Sequence, residues 1–446
     1  MLTDNWKDLT PDEKFQTRFD KWMNQEGVEF APGAKEAYLE RSQIIKDAIE
    51  LKKPSRIPVC PMIGFFPAYH AGVSCEDVMY NYDKLKLAWT KYHRDMQPDS
   101  MAGSFLMSSG KTLEHLGYTL YKWPGHGTNP NTPYQCWEKE YMMADEYDDL
   151  INDPTRYWMT KYMPRIFEAF APWQMLGPFT DIIELPFVPA TMIPFGIPDV
   201  QESLKKLIEA GNLAMEWIQA VGATDGETMV TQGIPPFLGG MCKAPFDTLG
   251  DTLRGTQPLM LDIFRQPDKV LKAMEVLIPM NIEMGVRSAT TNNCPMVFIP
   301  LHKGADGFMS KDQYRKFYWP QLKAVMLGLI EEGLVPLLFA EGGYNERLDI
   351  INDPEVPAGR SMWYFDTTDM EKAKAALHGQ ACICGNLPAS IFQAGKPQDV
   401  EEYAKNLIDT IGKDGGFILG NGSVLDEAPS ENVKAMFEAG RKYGSV

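Results

Sequence analysis

Eight short apolar runs, each set off by a helical pattern, constrain this chain more than any other feature of its sequence. They lie at 57–63, 100–105, 228–233, 296–301, 335–341, 361–366, 381–385 and 416–421, and each is rich in Val, Ile, Leu, Met or Phe. Most are followed by Gly, Pro or Asn and then by an amphipathic stretch, clearest at 371–378, 399–411 and 430–443, with a long helical pattern over 310–332. Strands alternating with helices argue for parallel βαβ units. Eight of them predict an α/β fold of the closed (β/α)8, TIM-type barrel. A chain of 446 residues suits one decorated barrel.

Residues 1–50 read as an N-terminal helical extension and 51–446 as the barrel. Thr10-Pro11-Asp12-Glu13 has the form of a helix start, with Thr as N-cap and Glu three residues on. A second helix is expected over 34–51, and both are expected to pack outside the barrel. The stretch 124–198 breaks the rhythm and is dense in Trp, Tyr, Phe, Met and Pro. It reads as an insertion over one face of the barrel, either as extra core or as an apolar lid around a hydrophobic substrate or flat cofactor.

A net charge of −17 repels phosphate, which argues against nucleic acid and anionic membranes as partners. No run of 18 apolar residues appears, and the N-terminus is charged from the start, without the core of a signal peptide. The seven cysteines are odd in number and form no framework, which fits a reducing compartment and a cytoplasmic location.

In such a barrel the loops after the strand ends build the active site. The first strand is followed by a Gly/Pro/aromatic loop holding Tyr69 and His70, which are candidates for substrate binding. After the fourth come His302, Lys303 and Asp306; imidazole serves as a base, acid or metal ligand near neutral pH, while Asp306 also suits a turn. After the fifth comes Glu341-Gly342-Gly343-Tyr344. A carboxylate directly after an apolar strand is costly unless paired, metal-bound or catalytic, and an ion pair with Arg347 is the plain alternative. Tyr344 is a further substrate-binding candidate. The sixth strand ends on Asp366, with Asp369 as the cap of the next helix. The seventh carries Cys384 and then Asn386, a substrate ligand or a cap. His302, Glu341 and Asp366 are thus the catalytic candidates. Glu341, His302 and Cys384 offer the mixture of O, N and S ligands that zinc accepts.

Several stretches resemble the uroporphyrinogen decarboxylase superfamily. Lys52-Lys53-Pro54-Ser55-Arg56-Ile57-Pro58-Val59 is similar to its opening motif. Pro245-Phe246-Asp247, Leu253-Arg254-Gly255-Thr256 and Leu259-Met260-Leu261-Asp262 resemble its mid-chain segment. Gly415-Gly416-Phe417-Ile418-Leu419, with Glu431-Asn432-Val433-Lys434-Ala435-Met436, resembles its ending. The resemblance implies a (β/α)8 barrel, in agreement with the strand count.

It implies one of two chemistries: decarboxylation of uroporphyrinogen, or zinc-assisted methyl transfer to or from a corrinoid carried by a partner protein. The decarboxylase's arginine-bearing first loop is replaced here by Gly64-Phe65-Phe66-Pro67-Ala68-Tyr69-His70, and its last-loop histidine by Asn421-Gly422-Ser423. The methyltransferases' H-x-C-G stands as Phe339-Ala340-Glu341-Gly342, so only Glu341 keeps ligand capacity there. The expectation is a methyltransferase with a small methoxy- or methylamine-type donor, a corrinoid protein as partner, zinc as cofactor and, as the family implies, a homodimer. The alternatives are a lyase acting on a small acid through His302, Glu341 and Asp366, and a tetrapyrrole-binding barrel.

Overall fold

The apolar runs come together as a parallel sheet in the computed structural model, which describes residues 5–101 and 103–445. A small sheet in the insertion holds β1 (Tyr121–Pro124), β2 (Gly127–Thr128) and β3 (Gln135–Cys136). The main sheet holds β4 (Gly240–Met241), β5 (Met296–Leu301), β6 (Val335–Ala340), β7 (Met362–Phe365), β8 (Cys382–Leu387) and β9 (Phe417–Asn421), six parallel strands in chain order. Helices fill the connections, and among the described residues none is long and apolar enough to cross a membrane.

The main sheet has six strands rather than the expected eight. The runs at 57–63 and 100–105 contribute only isolated bridges. Val59 pairs with Leu419 on β9, and Met101 pairs with Pro236 just before β4. The two segments also meet, through Asp99 N–H donating to the Val59 carbonyl at 3.0 Å.

The run at 228–233 is not a strand at all. It ends the helix Pro198–Gln232, whose C-cap Gly233 takes φ 62°. Thr228, Met229 and Val230 have strand character in isolation. Extending a helix already formed costs far less than starting one, so these residues follow the helix to the first glycine that can leave it.

Alternation along each strand sorts its side chains into two layers. Val297, Ile299, Leu301, Leu338, Trp363, Ile383 and Leu419 face the surrounding helices. Phe298, Leu337, Phe339, Tyr364, Cys384 and Ile418 pack together on the other face.

The N-terminal extension packs against that second cluster. Thr10 and Glu13 form the expected capping box on Pro11–Asn24, and Ala34–Ile49 follows. Phe15, Phe19, Trp22, Ile45 and Ile49 pack against the strand starts Met296, Val335 and Met362. The extension therefore closes the floor at the N-terminal ends of the strands. In the insertion, Tyr141, Met142, Tyr147, Tyr157 and Tyr162 are core, which is the extra-core reading; Phe179, Ile183, Leu185 and Ile193 are exposed.

Candidate active site

Strand register explains which predicted residues meet. Leu301 pairs with Ala340, Ala340 with Phe365, and Tyr364 with Cys384. Continuing these registers past the strand ends lines up His302, Glu341, Asp366 and Asn386 as one row at the C-terminal mouth. Pro300, Phe339, Tyr364, Cys384 and Ile418 form the row beneath.

His302 is the centre of the row. Its Nδ1 lies 2.6 Å from Asp251 Oδ2 and its Nε2 lies 3.6 Å from Glu341 Oε1. Burial alone would push the imidazole pKa down, but the hydrogen bonds and charges of Asp251 and Glu341 lift it to about 10. The ring is therefore an imidazolium at neutral pH. Asp251 is in turn held by Lys243 at 2.7 Å and Lys303 at 3.1 Å. Burial would raise its pKa, yet His302 and Lys243 hold it below the usual carboxylate range.

Asp247 lies deeper. It accepts the Tyr318 hydroxyl at 2.6 Å, the Lys303 backbone N–H at 2.8 Å and the His302 backbone N–H at 3.3 Å. Burial, and then the neighbouring Asp251 charge, push its pKa up. Asp247 fixes the backbone that carries His302, and Asp251 fixes the ring.

Neither aspartate is in the predicted set. Both lie in the loop after β4, Asp251 on a π-helical turn, Thr248–Leu253, a geometry frequent at functional sites. Assigning the third strand to 228–233 hid this loop, although Pro245-Phe246-Asp247 was already visible as a motif. The insertion supplies the remaining neighbours. Tyr121 and Cys136 are register partners across β1 and β3, and Glu138 lies 3.6 Å from Lys303. Burial first, then charges that include Asp251, keep the Cys136 thiol protonated above its usual range.

The other predicted residues divide. Glu341 does not pair with Arg347, which instead binds the carbonyls of Gly304 and Met309 and lies 3.6 Å from Asp306. Asp306 is the turn residue, accepting the Glu346 N–H. Asp366 accepts the Gly342 N–H at 3.0 Å, and burial together with the Glu341 charge raises its pKa. Asp369 caps the helix Met370–Leu377. Asn386 donates to the carbonyls of Asp366 and Thr368 at 2.9 and 2.8 Å, while its Oδ1 is buried without a partner among the described residues.

Cys384 points inward one row too low. It is sealed among Cys60, Cys382 and Tyr364, and burial raises its thiol pKa well above normal. Tyr344 is fully buried beside Trp363 and is a packing residue. Tyr69 donates to the Asn131 carbonyl, and His70 sits between Ser430 and Asp95 at 2.7 and 3.0 Å. Neither touches the His302 row.

The zinc set therefore reduces to His302 and Glu341. A catalytic zinc takes three protein ligands, and among the described residues no group of three His, Cys, Asp or Glu side chains is arranged to hold a metal. His302, held as a cation, would also have to lose its proton first. These residues do not fit the metal.

A cavity of about 210 Å³ is walled by Met62, Phe65, Met107, Leu238, Phe298 and Val424, with Asp426 as its charged group, and no residue of the row lines it. Phe298 is on the same inward face of β5 as Pro300 and His302.

Comparison with known proteins agrees with this architecture. The uroporphyrinogen decarboxylase of Idiomarina loihiensis is 30% identical over 143 residues, which are 31% of this chain and 38% of that protein. The match thus spans well under half of that relative. A methyltransferase from Methanosarcina mazei superposes with a TM-score of 0.60 over 91% of this chain and 98% of its own, at 14% identity. A likeness at that identity is one of fold. The uroporphyrinogen decarboxylase (URO-D) family model matches residues 229–443. That span carries β4 to β9, the loop of Asp247 and Asp251, and the row from His302 to Asn386, so the likeness to the family lies over the main sheet and the candidate site.

Proposed function

We propose that the chain is a methyltransferase acting on a small apolar donor of the methoxy or methylamine type, with a corrinoid protein as the methyl acceptor and His302 as general acid. The observation that carries this reading is the imidazolium held between Asp251 and Glu341 at the strand ends. When the bond from the methyl carbon to oxygen or nitrogen breaks, the departing atom takes the Nε2 proton of His302 as the methyl passes to the acceptor. A positioned acid of this kind contributes roughly 10²–10⁴-fold. Asp251, Lys243 and Lys303 hold the ring's orientation, and Glu341 lies where the proton leaves. The fold that supports this chemistry is read as a (β/α)8 barrel, with the segments around Val59 and Met101 completing the ring of β4 to β9. The unpaired cysteines fit a cytoplasmic protein.

The second reading is a lyase on a small acid, in which the same proton quenches the carbanion left by CO₂. The carboxylates Glu341, Asp366 and Asp426 at the mouth make it a poor seat for a polyanion. A cavity of about 210 Å³ is also small for a tetrapyrrole, since drug-sized ligands already occupy ~300–1,000 Å³.

The test is a panel of methoxyarenes and methylamines with reduced cobalamin as acceptor, followed by the cobalt absorbance change. Wild type is expected to transfer methyl from at least one donor, with His302→Gln slower by about 10²-fold or more. CO₂ release from aromatic acids without any methyl transfer would move the assignment to the lyase. Elemental mass spectrometry of wild type and Glu341→Ala decides the metal: stoichiometric zinc, lost in the variant, would replace the acid mechanism.

A further inference from the structure

A second cleft opens on the outside of the fold, between the helix Pro198–Gln232 and the segments around Met101 and Pro236. Its cavity is about 350 Å³, within the ~300–1,000 Å³ usual for small-molecule sites. Phe105, Trp217, Met229 and Leu238 make its walls apolar. Trp217 is fixed by its indole N–H, which donates to the Met107 carbonyl at 2.8 Å. Gly222 and Gly226 line the cleft one helical turn apart, and nothing lies within 4 Å of where a side chain would stand on either. The bare helix backbone therefore forms one edge, and side chains there would fill the space.

Between those glycines in sequence is Asp225, which also lines the cleft. Among the described residues its carboxylate accepts backbone hydrogen bonds from one group, the Ser104 N–H, at 2.9 and 3.0 Å to its two oxygens. Burial lifts its pKa to about 6 in spite of Ser104. A carboxylate among apolar walls, with the N–H and hydroxyl of Ser104 and no cation among the described residues, is under-compensated. Nothing in the proposed methyl transfer uses it, and Leu238 separates this cleft from the mouth cavity by lining both.

We propose that this cleft is a binding site for a small apolar amine, with Asp225 taking the ammonium and the aromatic walls taking the hydrocarbon body. An anion would meet the carboxylate unshielded. A neutral ligand would leave it uncompensated. A divalent cation such as Ca²⁺ takes ~6–8 oxygen ligands, and the cleft offers one carboxylate. An ammonium on an aromatic body matches both features, the charge at Asp225 and the apolar walls.

Isothermal titration of the full chain with benzylamine, benzyl alcohol and benzoate tests this. Benzylamine is expected to bind at least tenfold tighter than benzyl alcohol, and benzoate not at all. Asp225→Asn keeps an oxygen for the Ser104 N–H and should erase the preference for amine over alcohol. Gly226→Leu should fill the cleft and abolish binding of both, which also separates this site from the mouth and its Asp426. His302→Gln should bind benzylamine as wild type does, so a failure of the methyl-transfer reading leaves this result standing. Equal affinity for amine and alcohol, wild-type benzylamine affinity in either cleft variant, or no benzylamine binding at millimolar concentration would each overturn the proposal.

Discussion

An imidazole whose pKa rises from 6.5 to about 10 is a pH-dependent part of the fold as well as an acid. Its folded value lies above its unfolded one. The stability it adds is therefore whole below pH 6.5 and is lost as the pH climbs through about 10. Turnover that needs the imidazolium should show an alkaline limb in the same region. Removing the Asp251 charge should draw that limb toward neutrality, so the pH–rate profile of Asp251→Asn, set beside an NMR titration of the His302 ring, is the measurement. The sequence already made His302, Glu341 and Asp366 legible, because a charged side chain that ends an apolar strand has few inexpensive places to go. It did not reveal that Asp251 and Glu341 would hold the ring from opposite sides. That depends on a loop some fifty positions away, and no local pattern encodes it.

At the level of elements, the strands that read correctly are the ones in which both layers are apolar. β5 to β9 face helices on one side and the packed interior on the other, so their sequences are unbroken apolar runs with sharp ends. The third stave failed for the opposite reason. β4 is Gly240–Met241, two residues with no strand signature, while the apolar, β-branched stretch before Gly233 belongs to a helix. The segments around Val59 and Met101 are similarly held by isolated bridges, Val59 to Leu419, Ile63 to Leu425 and Met101 to Pro236, and by hydrogen bonds with Asp99 instead of a continuous ladder. Gly233 marks the true boundary. At φ 62° a Cβ would lie 2.2 Å from the Ala34 carbonyl oxygen. We expect Gly233→Ala to lose about 2 kcal/mol or more, combining left-handed strain with overpacking. Urea denaturation of the variant beside wild type measures it, with the helix content by circular dichroism unchanged.

At the scale of the whole molecule, the insertion leaves an apolar surface uncovered. Leu185 is 84% exposed, Ile183 70% and Ile193 68%. Phe179 stacks on Phe195 at 5.9 Å, which keeps the segment against the start of the long helix. Large apolar side chains this exposed, grouped in one segment, mark a contact surface. A second copy of the chain is the occupant we expect, since obligate interfaces are the more apolar ones. Sedimentation velocity should give a dimer for wild type and a folded monomer for Leu185→Asp.

The floor closure has a consequence for biosynthesis. Phe15, Phe19 and Trp22 leave the ribosome long before the strands they pack with, since their cluster includes Val335, Met362 and Ile418, made hundreds of codons later. The run at 57–63 meets β9 through Leu419 N–H to the Pro58 carbonyl and Cys60 N–H to the Leu419 carbonyl, contacts some 360 residues apart in sequence. A nascent polypeptide of this kind carries a sticky, unsatisfied amphipathic hairpin through most of its own translation. The cap comes first and the vessel it seals comes last, so the hazard of misassociation is greatest while synthesis is still under way and ends only when the last strand is released.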